Sequence, residues 1–545
     1  MSEAPRPPPG PRAWRRRSAP PLFLLLAASA CAGPRNAGPA EWGNPDGYRV
    51  HWLSGDSLRA RAVAVNGIAV DTASVEAIGA SVEAIIDSGS GEVGALAPRV
   101  VELVSGRTPE AAVDFTAQAP PVPATFHGAD LQWRSKYFLA NPRWRALIAH
   151  MRLDLLRFPA GQERVRYDRA ATSGTVAEDT LQVAPDQPYE YRITGEDVAA
   201  FIGLCKDLGI AAEPEVNLTV DDPAMWAGML DQIVNELGYD LRYVSVGNEP
   251  DIPSPNGNWP YLGAPGANTE ADRQTAMASY LERWHRYHAA LSAVRPGIIY
   301  AFAELGMWSP AELGKNLDAV LSGLGGDRPG AVSGHWYMLG NYGQPASSPD
   351  FPSVEHLVAE GNGRNDIAYL DTIAETLRAR AAANGQAGAR IFLGEWGVSW
   401  SGTTADAEVA DRLAAALFNA EAQERGKTAG LDAMQWFGLS DPAEWKTWVP
   451  SLIAVDAEGT PRPRPQWYVY LLYRYLWGDR IVPVEGGRRA DWSIHAARGG
   501  ERSYLMLVNR TEASTFTPVV AVRTAAGDRQ LRLTLYPHSL SIVSF

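Results

Sequence analysis

The chain has 545 residues, enough for roughly three to four domains and a large buried core, which excludes disulfide scaffolds and peptide hormones. Apolar residues make up 46 % and charged residues 20 %, a globular composition and not a disordered one. With 49 Lys and Arg against 62 Asp and Glu the net charge is −13, which argues against a nucleic-acid surface; two cysteines, Cys31 and Cys205, provide neither a disulfide framework nor a multi-Cys metal site.

Residues 1–30 read as an export signal: Arg15, Arg16 and Arg17 precede the short apolar run Leu22–Ala30, which is too brief to span a bilayer. Ala28-Ser29-Ala30-Cys31 is similar to a lipoprotein cleavage box, with Cys31 as the acylated residue and the membrane reached only through that anchor. Simple cleavage after Ala30 is the alternative. The expected location is therefore outside the cytoplasm, as an envelope lipoprotein or a secreted protein. Residues 31–47, rich in Gly, Pro and Ala, form a tether. Residues 48–120 contain short alternating runs (RARAVAV, SVEAIID, RVVELV, VDFTA) and form an N-terminal β-rich region that ends at Pro120, Pro121 and Pro123.

From 125 to 477 strand-like and helix-like pieces alternate. Asn141-Pro142, Thr194 to Asp197, Asp222-Pro223 and Ser309-Pro310 each carry the chemistry of a helix start. Further helices are expected at about 274–294, 367–383 and 408–424, and the one bearing Cys205 places that thiol in the core. Eight strand–helix units imply an α/β fold, a closed (β/α)8 TIM barrel. Residues 479–545 lack helical patterns and read as antiparallel strands of an additional β-sandwich domain, completed by strands from the N-terminal region.

A barrel of this kind carries its chemistry at the C-terminal ends of its strands. Those ends are Arg157 on the second strand, Asn217 on the third, Asn248-Glu249-Pro250 on the fourth, His335-Trp336-Tyr337 on the sixth, Glu395 on the seventh and Trp436 on the eighth. Glu249 and Glu395 lie 395 − 249 = 146 residues apart, about three repeats of roughly 44 residues. Two carboxylates across a cleft lined by aromatic rings suit cleavage of a glycosidic bond: one acid protonates the departing oxygen while an ionised partner attacks the anomeric carbon. Trp133, Trp336, Trp396, Trp400 and Trp436 are the candidate sugar-facing rings.

These strand ends, with the run Leu155–Gly161 (LLRFPAG), resemble clan A glycoside hydrolases, nearest in pattern to families 51, 79 and 39. Ala160 and the Trp-Gly pair after Glu395 depart from that group's pattern, the latter toward endo-glucanase-like or mannanase-like relatives. The resemblance implies a retaining O-glycosyl hydrolase acting on poly- or oligosaccharides, with Glu249 as general acid/base and Glu395 as nucleophile. It further implies that Asn248 holds a sugar 2-hydroxyl, that Tyr337 and Arg157 orient Glu395, and that His335, Trp436 and Asn217 line the subsite. No metal or other cofactor is implied. Against this stand a structural reading, with Glu249 a helix-entry carboxylate and Glu395 a buried ion-pair partner of Arg157, and separately a catalytically inactive barrel that acts as an envelope carbohydrate-binding lipoprotein. Glu304, ending the fifth strand, reads as a structural or subsite carboxylate. Gly89–Gly94 formally matches a dinucleotide fingerprint and reads as a turn; His285 and His288 lack zinc-site spacing.

Overall fold

A computed structural model describes residues 49–54, 64–65, 68–69, 100–161, 164–181, 190–252, 269–306, 309–338, 367–399, 413–441, 451–455, 459–511 and 513–545. The export signal, Cys31, the tether, the Gly89–Gly94 run and Trp400 lie outside them.

Eight parallel strands close into a barrel: β1 (His127–Gln132), β2 (Leu155–Ala160), β3 (Ala211–Val216), β4 (Tyr243–Val246), β5 (Ile299–Leu305), β6 (Gly330–Tyr337), β7 (Arg390–Gly397) and β8 (Ala433–Phe437). Closure is by β8 against β1, with Met434 opposite His127 and Phe437 opposite Asp130. The strands are followed in turn by α1 (Pro142–Ala149), α2 (Gly195–Leu208), α3 (Pro223–Asp231), α4 (Glu270–Val294), α5 (Pro310–Leu321), α6 (Tyr369–Ala383), α7 (Leu413–Ala429) and α8 (Pro465–Tyr475). The helix starts follow from local chemistry. The Asn141 side chain accepts from the Arg143 and Trp144 amides, and Thr194 forms a reciprocal capping box with Asp197. Asp222 and Ser309 cap the next turn ahead of Pro223 and Pro310. Helix α4 begins four residues earlier than its apolar pattern suggests, because Thr269 and Asp272 form another capping box. Cys205 sits fully buried in α2, and burial pushes its thiol up.

Strand residues alternate between two destinations. The first inward layer is apolar: Leu155, Tyr243, Ala301, Ala331, Phe392 and Ala433 close the N-terminal end of the lumen. One step further along the strands the inward positions are polar or charged, among them Arg157, Glu213, Ser245, Ser333 and Gln435, all buried. A lumen filled by branched aliphatic side chains is the usual arrangement; here an ionic layer replaces it. Outward-facing residues meet the helices. Trp336 on β6, Trp396 on β7 and Trp436 on β8 surround Phe418 of α7 at ring-centroid distances of 5.8, 6.0 and 6.3 Å.

Two five-stranded sheets stack beside the barrel. One has the order 49–54, 539–544, 502–509, 492–499, 480–482, all antiparallel. The other has the order 484–485, 111–114, 519–524, 527–533, 101–104 and contains one parallel pair, 111–114 beside 519–524, where an all-antiparallel tail was expected. Both sheets therefore mix strands from the two ends of the chain. Val113, Trp492, Leu505, Val520 and Leu531 fill the space between them. The outer face of the first sheet packs Met506, Val508 and Ile542 on Leu417 of α7 and Val469 of α8. Glu421 of α7 is buried in this seam, hydrogen-bonded to Ser493 and to His495 at 2.9 Å and ion-paired with Arg510 at 3.5 Å.

Phe418 is the hub on which three barrel strands rest, and truncating it opens a cavity among rings that cannot collapse. Phe418→Ala is expected to cost about 3–5 kcal/mol, read as a lowered midpoint in denaturant unfolding. A loss below 1 kcal/mol would mean the tryptophan belt does not hold α7.

Candidate active site

The ionic layer is organised around Arg157. Its guanidinium, completely buried, pairs with Glu215 at 2.9 Å and donates to Asn248 at 2.9 Å, Glu395 at 3.2 Å and the Gly394 carbonyl at 3.3 Å. It thereby links β2 to β3, to the end of β4 and to β7. Burial works against its charge, but Glu215, Glu304, Asp130 and Glu395 hold it well above the ordinary guanidinium value.

Above that layer Glu249 and Glu395 face each other with His335 between them. The Nδ1 atom of His335 lies 2.9 Å from Glu249 Oε1 and 3.4 Å from Glu395 Oε2, and Nε2 lies 3.2 Å from Glu304 Oε2. One ligand atom from each of Glu249, His335 and Glu395 fits within a mutual 4.8 Å. Among the described residues these three are close enough to share a metal ion, although both ring nitrogens of His335 are already engaged by carboxylates. Tyr337 donates its hydroxyl to Glu395 Oε2 at 2.7 Å. The glutamates differ in access: 16 % of the Glu249 side chain is exposed against 4 % for Glu395.

Burial pushes the Glu395 carboxyl above the usual carboxylate value, with His335, Arg157 and the Tyr337 hydroxyl pulling it back and Glu249 adding to the rise. Burial also opposes charge on His335, yet Glu395, Glu249 and Glu304 outweigh it and hold the imidazolium well above its ordinary range. Glu304 moves the other way: despite burial, Arg157, His335 and Ser333 bring it down to about 2. Deeper in the lumen, burial and neighbouring carboxylates push Glu213 and Glu215 up to about 8, against the pull of Arg157. Asp130 is raised as well, chiefly by burial.

The predicted residues therefore divide. Arg157, Asn248, Glu249, His335, Tyr337 and Glu395 converge on one cluster. Asn217 is buried, and its side-chain oxygen folds the loop after β3, accepting from the Thr219 amide at 2.8 Å and its hydroxyl at 2.7 Å. Trp436 requires correction. It lies on the outer side of β8, fully buried, edge-on to Trp396 at 4.7 Å. Trp336 and Trp396 point outward for the same reason: they occupy odd steps between inward His335, Tyr337 and Glu395. Trp133 is also fully buried, stacked on Tyr191 at 4.5 Å. The ring beside the carboxylates is Phe437, one residue after Trp436. It meets Tyr337 edge-on at 6.1 Å, and a Cβ placed on Gly161 would lie 2.8 Å from it and 3.2 Å from Glu395 Oε1. Glu213, Glu215 and Asp130 were not anticipated. Glu213 and Glu215 stand at i and i+2 with Asn217 at i+4, a one-face polar stripe on a strand that was visible in AAEPEVN. His285 and His288 both face Asp327, at 2.8 and 3.4 Å.

No protein-family model and no curated protein matches the chain. Solved structures do. The α-L-arabinofuranosidase from Thermotoga maritima aligns over 80 % of this chain and 100 % of its own at 13 % identity, TM-score 0.58. A 4-O-α-L-rhamnosyl-β-D-glucuronidase from Fusarium oxysporum aligns over 82 % and 100 % at 11 % identity, TM-score 0.56. CelM2, a bifunctional glucanase-xylanase from a metagenome library, aligns over 80 % and 99 % at 14 % identity, TM-score 0.55. The chain thus has the TIM barrel and β-sandwich fold found in family 51 arabinofuranosidases and related clan A glycosidases.

The lumen acids make stability depend on pH in a defined direction. Glu213 has a folded value of about 8 against an ordinary 4.5, so the folded state binds its proton more tightly. Its stabilising contribution is complete below pH 4.5 and is lost as pH rises toward 8. Glu213→Gln, which keeps the shape without the ionisation, is expected to change the thermal midpoint little at pH 4.5 and to raise it at pH 8 relative to the parent. Equal changes at both pH values would contradict a protonated Glu213.

Proposed function

We propose that the protein is a retaining glycoside hydrolase that cleaves poly- or oligosaccharides by double displacement. The observation that carries the proposal is the pairing of Glu249, from the end of β4, with Glu395, from β7, through His335 and within the 4.8 Å grouping. Retaining enzymes hold their carboxyl groups about 5–5.5 Å apart, too close to admit a water for direct displacement.

In this reading the buried Glu395 is the nucleophile. Arg157 on Oε1 and Tyr337 on Oε2 fix both oxygens and hold the carboxylate for attack on the anomeric carbon. Glu249, the more exposed of the two, delivers a proton to the departing oxygen and then takes one from water, a cycle that needs exchange with solvent. Attack forms a glycosyl ester on Glu395; water activated by Glu249 breaks it and restores the original anomeric configuration. Asn248 uses its side-chain oxygen to accept from Arg157, so its amide nitrogen is the group that can address a sugar hydroxyl. Phe437 takes the place expected of Trp436 as the apolar wall of the subsite.

Turnover measured on a panel of aryl glycosides and polysaccharides tests this. Glu395→Gln is expected to abolish activity. Glu249→Ala is expected to retain the first step on substrates with good leaving groups and to stall at the second until azide substitutes for activated water. Proton NMR of the first product should show the anomer of the substrate; the opposite anomer would remove Glu395 from the nucleophile role.

We further propose, from the sequence signals alone, that the protein is exported and acylated at Cys31. Mass spectrometry of the native protein should find an N-terminal Cys31 carrying lipid; an intact Met1 would refute export.

A further inference from the structure

Glu304 has no task in the double displacement, yet much of the barrel rim is arranged around it. β5 gains one residue against β6 here: Phe302 pairs with Val332, but Leu305 pairs with Gly334. Ala303 and Glu304 adopt φ of 77° and 38°, the left-handed region that costs a residue with a side chain. The Tyr280 hydroxyl of α4 stitches the bulge in place, accepting from the Ala303 amide at 3.0 Å and donating to the Val246 carbonyl at 2.9 Å. β7 carries a matching irregularity at Gly394, whose missing side chain is required: a Cβ there would collide with Glu304 Oε2. The bulge turns the Glu304 carboxylate into the lumen, where it accepts from Ser245 at 3.0 Å and Ser333 at 2.6 Å. Its main-chain carbonyl accepts the Glu249 amide at 2.8 Å, so one residue supports both Glu249 and the ring that Glu249 touches.

We propose that Glu304 is a positioning residue that pins a proton on Nε2 of His335, making Nδ1 the nitrogen through which the ring exchanges a proton with Glu249 and steadies Glu395. This rests on the reading of Glu249 and Glu395 as the reacting pair. The geometry is that of a carboxylate–imidazole–acceptor chain, Glu304 Oε2 to Nε2 at 3.2 Å and Nδ1 to Glu249 Oε1 at 2.9 Å. An orienting carboxylate of this kind fixes the tautomer and stabilises the imidazolium. The charged groups facing His335 are Glu249 from β4, Glu304 from β5 and Glu395 from β7, with Arg157 beyond Glu395 and Asp130 deeper in the lumen. Ser245 and Ser333 both donate to Glu304 and hold its carboxylate in place beside Nε2.

The test uses the full chain labelled at its histidine ring nitrogens, with the His335 signals assigned by their loss in His335→Gln. Heteronuclear NMR of the parent should show Nε2 protonated throughout the titration. In Glu304→Gln the imidazolium should lose its proton at a pH at least about one unit lower, and Ser333→Ala should move it the same way by less. The alkaline limb of kcat/KM on an aryl glycoside should move with the titration, whereas a purely structural defect would lower turnover at every pH without moving that limb. An unchanged His335 titration in both folded variants, or a shifted titration with an unmoved limb, would overturn the proposal. Should the parent show no turnover on any glycoside, the hydrolase reading fails, while the titration still decides whether Glu304 governs the ring.

Discussion

A guanidinium sealed inside the barrel is the constraint to which the other polar groups answer. Arg157 cannot lose its proton and cannot reach water, so the lumen must supply partners for it, and both terminal nitrogens of the guanidinium meet oxygens from three other strands. Its presence permits several carboxyls to share a space that would otherwise tolerate none of them charged. Withdrawing a buried charge partner of this kind typically costs about 3–5 kcal/mol, because the remaining charges are left without compensation. The site is thus part of the barrel core: the residues that fill the lumen also aim the glutamates.

Within that layer, position along the axis sorts the acids by protonation. Against burial, Arg157, the His335 imidazole and the Ser333 hydroxyl hold Glu304 down at about 2, whereas burial and neighbouring carboxylates hold Glu213 and Glu215 up at about 8. Similar side chains in one lumen therefore carry different charges because their charged neighbours and hydrogen-bond donors differ. Glu395 lies between these extremes in its surroundings, raised by burial and drawn down by Arg157, His335 and Tyr337. A buried carboxyl under such opposed influences is one whose charge modest electrostatic change can alter.

Much of this was legible in the sequence. The alternation of strands and capped helices specified the barrel, since each Asn, Thr, Asp or Ser cap is a local event that needs no tertiary context. Arg157, Asn248, Glu249, His335, Tyr337 and Glu395 were legible as strand ends. The aromatic residues obey strand parity: in His335-Trp336-Tyr337 and Gln435-Trp436-Phe437 the central tryptophan must face away whenever its neighbours face in. The bulges at Ala303–Glu304 and at Gly394 were not legible, because an extra residue in a strand is defined only by the partner it faces. Glu304 was therefore legible only as a structural or subsite carboxylate, without the ring it faces. The parallel pairing of 111–114 with 519–524 was hidden for a similar reason, the two strands being far apart in the chain.

The sandwich has a consequence for the order of assembly. Strand 49–54 finds its neighbour in 539–544, and 101–104 and 111–114 are built into a sheet with 519–533. Synthesis from the N terminus leaves those early segments without partners while the whole barrel emerges. The face of α7 and α8 that carries Leu417 and Val469 stays uncovered for the same interval. Sandwich closure is therefore the last event, and it depends on the final strand being made. A chain cut short by a few tens of residues would keep every barrel strand yet expose an apolar helical seam and unpaired strand edges, the features that proteases and chaperones recognise.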